Sequence, residues 1–205
     1  MSQRSRTSCS GPRWAGRPAL APIALACAAL AACGGSSQAI PRALLREARP
    51  VGVGPRFQPG VSGAVLGDCE PALGRRYAVH VEVFAQNEVV IVPAGIGTRS
   101  PRTLQDGQVV RARCFGALVT LAPTGVVLVR EGVRLRLGDL FRAWGEPLSR
   151  ERVASFRGKR LRVFIDGRSW HGLPSAVALR RHAEIVLELG PYVPPHRAFA
   201  FPPGE

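Results

Sequence analysis

His80 and Glu82 stand two apart in Tyr77-Ala78-Val79-His80-Val81-Glu82-Val83-Phe84. In an extended chain they share a face, so an imidazole nitrogen and a carboxylate can meet one cation. Two donors are too few for a tight site, and the alternative is a hydrogen-bonded or solvent-facing pair. The other histidines are scattered: His171 beside Trp170, His182 ahead of a strand, His196 near the C-terminus. Glu184 and Glu188, four apart on one strand face, read as solvated acids. Asp139 reads as a helix cap and Asp166 as a turn residue. Ser169 lies two residues from His171, but no Gly-x-Ser-x-Gly, Ser-x-x-Lys or phosphate-cradling glycine loop accompanies it. The residues therefore assign no catalytic group and call for no cofactor. An enzyme, or a metal protein with a reduced site around His80, would have to use side chains that have simpler structural readings.

Of 205 residues, 28 are Lys or Arg and 14 are Asp or Glu. Arg4, Arg6, Arg13 and Arg17 precede residue 33, and without them 24 bases face 14 acids, a net of +10. Lys159 is the sole lysine. An arginine bias beside so much Ala, Gly, Pro and Val is what a GC-rich genome produces, and a solvated basic surface is the default. The charge still favours acidic glycopolymers or lipid headgroups. Arg157, Lys159, Arg160 and Arg162, with Arg180 and Arg181, are the candidate patch. Aromatic interleaving of the kind that stacks on bases is sparse, so nucleic acid is not expected as a partner.

The five cysteines divide by position. An arginine-bearing segment leads into Ala19-Leu20-Ala21-Pro22-Ile23-Ala24-Leu25-Ala26-Cys27-Ala28-Ala29-Leu30-Ala31-Ala32, an apolar run too short to span a bilayer about 30 Å thick. Leu30-Ala31-Ala32-Cys33 closes it and resembles the lipobox of bacterial lipoproteins. That resemblance implies cleavage before Cys33 and acylation of its thiol and new amine. At about 0.8 kcal/mol per buried CH2, several acyl chains make release from the membrane negligible. Gly34-Gly35-Ser36-Ser37 then serves as a flexible tether. The competing reading is a secreted soluble protein with a chance cysteine; Cys27 is a poorer lipidation candidate, and Cys9 lies in the discarded segment. Gly34 in place of Asp gives no inner-membrane retention signal, so the membrane could be the cell membrane or an outer membrane. Cys69 and Cys114 remain for the folded part. Export to an oxidising compartment favours a disulfide between them over a metal or catalytic thiol.

These expectations set the frame: signal peptide 1–32, tether 33–60, and one β-rich α+β domain over 61–205. A subdivision into 61–124 and 125–190, with an extended Pro-rich tail 191–205, is the finer alternative. Strands are expected at Tyr77–Phe84, Val89–Val92, Val109–Phe115, Leu118–Leu121, Val126–Arg130, Val133–Leu137, Leu161–Ile165 and Ala183–Leu189. Asp166-Gly167 is a strong hairpin turn. A helix over 137–145 presents Leu140, Phe141 and Trp144 on one face and stops at Gly145. A second short helix is expected after Ser149, carrying Val153 and Phe156 and closed by Gly158. The segments 81–87 and 161–167 look alike, either as a duplicated hairpin unit or as shared hairpin grammar.

Three motifs carry a wider likeness: Val92-Pro93-Ala94-Gly95-Ile96-Gly97, then Leu137-Gly138-Asp139-Leu140-Phe141-Arg142-Ala143-Trp144-Gly145-Glu146-Pro147-Leu148-Ser149, then Val163-Phe164-Ile165-Asp166-Gly167. With Cys69 and Cys114 in corresponding places, the stretch from Cys69 to Pro194 resembles a group of exported bacterial proteins of unknown activity. Those proteins have a His-rich strand and a Trp-Leu-His-Thr-His-Asp motif. The resemblance implies a site for a transition metal or for proton transfer. Here only His80 of that set remains. Arg76 and Ala78 stand at two of the strand's histidines, and Val119, Leu121 and Ala122 replace the later His, His and Asp. Leu128 and Arg130 replace a further His and Glu. The chain reads as a member whose scaffold persists and whose site has been emptied. From Gly125 onward the element order also resembles a β-grasp (ubiquitin-like) domain. The expected role is a lipid-anchored, non-catalytic binding or structural module of the cell envelope, with polyanion binding as the alternative.

Overall fold

The computed structural model describes residues 63–202. Cys33, the signal segment and the tether lie outside the described residues. The described residues are β-rich with one α-helix.

The first long strand, β1 (Arg76–Ala85), turns through Gln86 and Asn87, both at positive φ, into the short β2 (Glu88–Val89). A hairpin of β3 (Thr98–Gln105) and β4 (Gln108–Phe115) forms a separate two-stranded sheet. Then come β5 (Leu118–Val119), β6 (Val126–Arg130) and the helix α1 (Leu137–Trp144). Three two-residue strands, β7 (Leu148–Ser149), β8 (Arg152–Val153) and β9 (Phe156–Arg157), make a small meander. The chain closes with the hairpin β10 (Leu161–Ile165) and β11 (Arg168–Trp170), then β12 (Glu184–Leu189).

The main sheet has the order β11-β10-β12-β1-β6-β5, with β2 also on β1. β1 and β12 run parallel at its centre, and the other pairings are antiparallel. All six residues of β12 are buried, as befits a strand covered on both faces. Odd-numbered residues of β1 and β12 (Val79, Val81, Val83, Ile185, Leu187, Leu189) point to the main core with Leu137, Leu140, Phe141 and Trp144 of α1. Each such large side chain contributes about 1.5–3 kcal/mol by leaving water. Asp139 accepts the Arg136 amide at 2.9 Å and so caps α1. Gly145 ends it in the left-handed conformation at φ 84°.

Three expected elements differ. Of the expected strand Val89–Val92 only Val89 lies in a strand. Val133–Leu137 is not a strand, although Leu137 and Leu179 each donate backbone hydrogen bonds across the Leu135–Leu137 and Val177–Leu179 segments. The expected helix after Ser149 is instead the β7–β9 meander. Val153 and Phe156 still bury their side chains, so the apolar spacing was sound and its period was misread. The hairpin β3–β4 was not expected, because Pro101 and six exposed side chains disguise β3; its turn, Asp106-Gly107, lies at positive φ.

Gly97 shows why the Val92–Gly97 motif is glycine-rich. It sits at φ 69°, and a Cβ there would meet the Leu118 carbonyl oxygen at 1.9 Å. Thr120 clasps the same loop, donating to the Pro93 carbonyl and accepting the Ile96 amide.

Cys69 and Cys114 form a disulfide across 45 residues, tying the entry segment to β4. Loop closure of that length stabilises the fold by about 4 kcal/mol. We expect the double variant Cys69→Ser/Cys114→Ser to lose about 2–4 kcal/mol in urea unfolding, with its far-ultraviolet dichroism kept. An unchanged midpoint would contradict this role.

Candidate functional site

The face of the sheet opposite α1 carries the even-numbered residues, and several are polar. Parallel register sets His80 of β1 opposite Glu184 of β12. Antiparallel register sets Arg162 of β10 opposite Glu188. Glu184 and Glu188 are 1% and 0% exposed. The expectation that they are solvated is corrected: each is buried because the strand beside it supplies a cationic partner.

His80 is held at both ring nitrogens. Nδ1 is 2.8 Å from Glu184 Oε2, and Nε2 is 2.9 Å from the Thr124 carbonyl. Burial pulls its pKa down. The hydrogen bond and charge of Glu184, the Thr124 carbonyl and the charge of Glu82 outweigh that, and the net direction is upward. Phe199 lies flat on the imidazole with centroids 3.8 Å apart. Gly125, at φ 79°, permits the close approach of the Thr124 loop: a Cβ there would meet His80 Nε2 at 2.9 Å and the Val81 oxygen at 2.6 Å.

The segment after β12 runs over this face. His196 Nδ1 reaches the Glu82 carboxylate at 2.8 Å, Phe201 stacks on His182 at 4.8 Å, and Tyr192 meets Phe164 and the Arg162 guanidinium. His196 thus comes to the strand face that carries His80 and Glu82, although its sequence position gave no sign of it. One donor atom each from His80, Glu82 and Glu184 lie within 4.8 Å of one another. A cavity of about 340 Å³ opens beside them, lined by His80, Glu82, Thr124 and His196 together with Val89 to Val92.

A second, apolar cluster adjoins these residues. Ala78, Val119 and Leu128 are buried with Phe115, and Leu121 and Phe201 pack against them. Arg76 spends its guanidinium on the carbonyls of Leu73, Gly116 and Ala117. Arg130 pairs with Glu70 at 3.1 Å.

The candidate basic patch is divided. Arg180 and Arg181 precede β12 and Lys159 and Arg160 adjoin its far end, separated by a strand about 17 Å long. Lys159 and Arg160 line a hollow with Arg150, Trp170 and His171. Arg157 is exposed on β9, and its carbonyl accepts from Gln86. Arg162 bonds Glu188 at 3.1 Å and the Gly190 carbonyl at 2.9 Å.

Around Arg180 and Arg181 lies a cavity of about 640 Å³, with Tyr77, Leu135 and Leu179 as apolar lining and Arg134 and Arg136 completing a set of four arginines. Tyr77 donates to the Leu179 carbonyl at 2.8 Å. Arg181 lies over the Tyr77 ring at 5.2 Å and pairs with Glu131. Arg134 and Arg136 were missed as candidates. The alternation Val133-Arg134-Leu135-Arg136-Leu137 already placed them on one side.

No family model, curated protein or solved structure matches the chain.

Arg162 is the test of which arginines are structural. Removing it leaves the buried Glu188 carboxylate without its cation. We expect Arg162→Ala to cost about 2–4 kcal/mol in chemical denaturation, against less than about 0.5 kcal/mol for the exposed Arg160→Ala. Equal midpoints for the two variants would show that Glu188 does not need its partner.

Proposed function

We propose that this protein is a lipid-anchored component of the cell envelope that acts by binding, and that its ligand is an acidic envelope polymer or lipid headgroup taken by the arginine-lined groove at Tyr77. The groove itself carries this reading. Arg134, Arg136, Arg180 and Arg181 are exposed around apolar lining, and the first three form no ion pair among the described residues. Guanidinium groups that meet phosphate or carboxylate in two-point contact, beside an apolar floor, suit an anion with a carbon skeleton. The lipobox-like Leu30-Ala31-Ala32-Cys33 supports the anchor.

Two finer assignments accompany this reading. The strand order β6-β1-β12-β10-β11, with a parallel central pair and a helix between β6 and β10, supports a β-grasp arrangement whose first hairpin carries β2 to β5 as an insertion. The convergence of Ala78, Val119, Leu121 and Leu128 in one cluster supports kinship with the exported bacterial group, since replaced site residues should remain neighbours.

Two experiments test the proposal. Cys33→Ala should move the protein from the detergent phase to the aqueous phase in phase partitioning at high salt, where charge-driven attachment is screened. Unchanged partitioning would overturn the anchor. Retention on an immobilised acidic polysaccharide should fall steeply with added salt and drop about tenfold in Arg134→Ala/Arg180→Ala. Equal retention at low and high salt would overturn polyanion binding, and equal retention by the variant would overturn the groove as its place.

A further inference from the structure

We propose that His80, Glu82 and Glu184, joined by His196 from the C-terminal segment, bind one divalent transition-metal ion on the sheet face opposite α1. Alternation along β1 puts His80 and Glu82 side by side, and the parallel register brings Glu184 to them from β12. One donor atom from each of the three falls within 4.8 Å of the others. His196 Nδ1, outside that group but 2.8 Å from the Glu82 carboxylate, would supply a fourth by closing on the ion.

Three further features suit an ion. His80 Nε2–H points to the Thr124 carbonyl at 2.9 Å, which turns Nδ1 toward Glu184. Metal-bound histidines are commonly oriented this way, with the second ring nitrogen donating to a carbonyl. Glu184 is 1% exposed, and its Oε1 is buried with no hydrogen-bond partner. A buried carboxylate oxygen left so is costly, and a cation gripped by both oxygens of Glu184 would satisfy it. The neighbouring cavity of about 340 Å³ gives room for water on the ion.

Two imidazoles with two carboxylates form a mixed donor set of intermediate hardness, suited to manganese, iron, cobalt, nickel or zinc. His80 Nδ1 and Glu184 Oε2 are 2.8 Å apart. A cation about 2.1 Å from both would see them near a right angle, nearer octahedral than tetrahedral geometry. Manganese, cobalt and nickel therefore fit better than a four-coordinate zinc.

The test is titration of the full chain, purified in detergent and stripped by a chelator, with Mn²⁺, Co²⁺, Ni²⁺ and Zn²⁺ separately. Calorimetry gives the stoichiometry, and elemental analysis after desalting checks retention. One ion per chain is expected, with the weak visible absorption of six-coordinate cobalt. His80→Gln and Glu184→Gln should each weaken binding at least about tenfold. Glu82→Gln and His196→Ala alter more exposed groups and keep the test valid if the buried variants misfold; each should weaken binding measurably. Absence of stoichiometric binding by the wild-type chain would overturn the proposal. So would an ion bound equally well by wild type, Glu82→Gln and His196→Ala.

Discussion

Six register pairs, from His80 opposite Glu184 to Ala85 opposite Leu189, join β1 and β12 in parallel at the centre of the sheet. Everything else leans on this pairing. β6 and β2 extend it on one side and β10 and β11 on the other. α1 covers one face and the segment after β12 covers part of the other. The two strands are separated by about a hundred residues, so the β3–β4 hairpin, the helix and the meander are all enclosed by one long-range contact. β1, the first strand of the described residues, lies between β6 and the last strand, β12.

The two faces of that pair are chemically unlike, and this fixes the register. The α1 side is valine, leucine and isoleucine. The other side alternates His80, Glu82, Glu184 and Glu188 with Ala78, Phe84 and Val186. A slip of β12 by one residue would drive the Glu184 and Glu188 carboxylates into the apolar core. Burying a carboxylate costs several kcal/mol unless it is paired. Partners exist only in the observed register: Glu184 with His80, Glu188 with Arg162. The polar row thus acts as a register lock as well as a collection of ligands.

Local grammar was legible where it is local. Asp166-Gly167, Gly145 and the strand at Val126–Arg130 follow from turn chemistry, a left-handed stop and β-branched residues. The disulfide followed from there being two cysteines in the expected folded part. Elements whose period was ambiguous were not legible. Val153 and Phe156 fit a helical spacing and a hairpin spacing equally, and tertiary packing chose the second. The candidate site was half legible. His80 and Glu82 share a face by simple alternation, which any strand gives. Glu184 and His196 lie 104 and 116 positions beyond His80, and nothing in one sequence states which strand becomes the neighbour of β1. Acids four apart on a strand look solvated until a partner strand delivers a histidine and an arginine to them.

The same logic revises the meaning of the positive charge. Composition counts every arginine equally, but the fold uses many of them internally. Arg76 ties three backbone carbonyls, Arg102 clasps Thr98 and Ser100, and Arg130 and Arg162 neutralise Glu70 and Glu188. Arg130 and Arg162 contribute little to an outward field because each has an acid against it, and Arg76 and Arg102 are held in place by the fold rather than free to meet a ligand. The arginines around Tyr77 differ: four of them ring one concavity against a single acid, Glu131. A low-dielectric wall on one side concentrates their field in the groove. Its apolar floor would hold the carbon skeleton of a ligand after salt has screened the guanidinium contacts. A groove of this kind therefore predicts binding with two components, one lost as salt rises and one that persists. A uniformly basic surface would show the first alone.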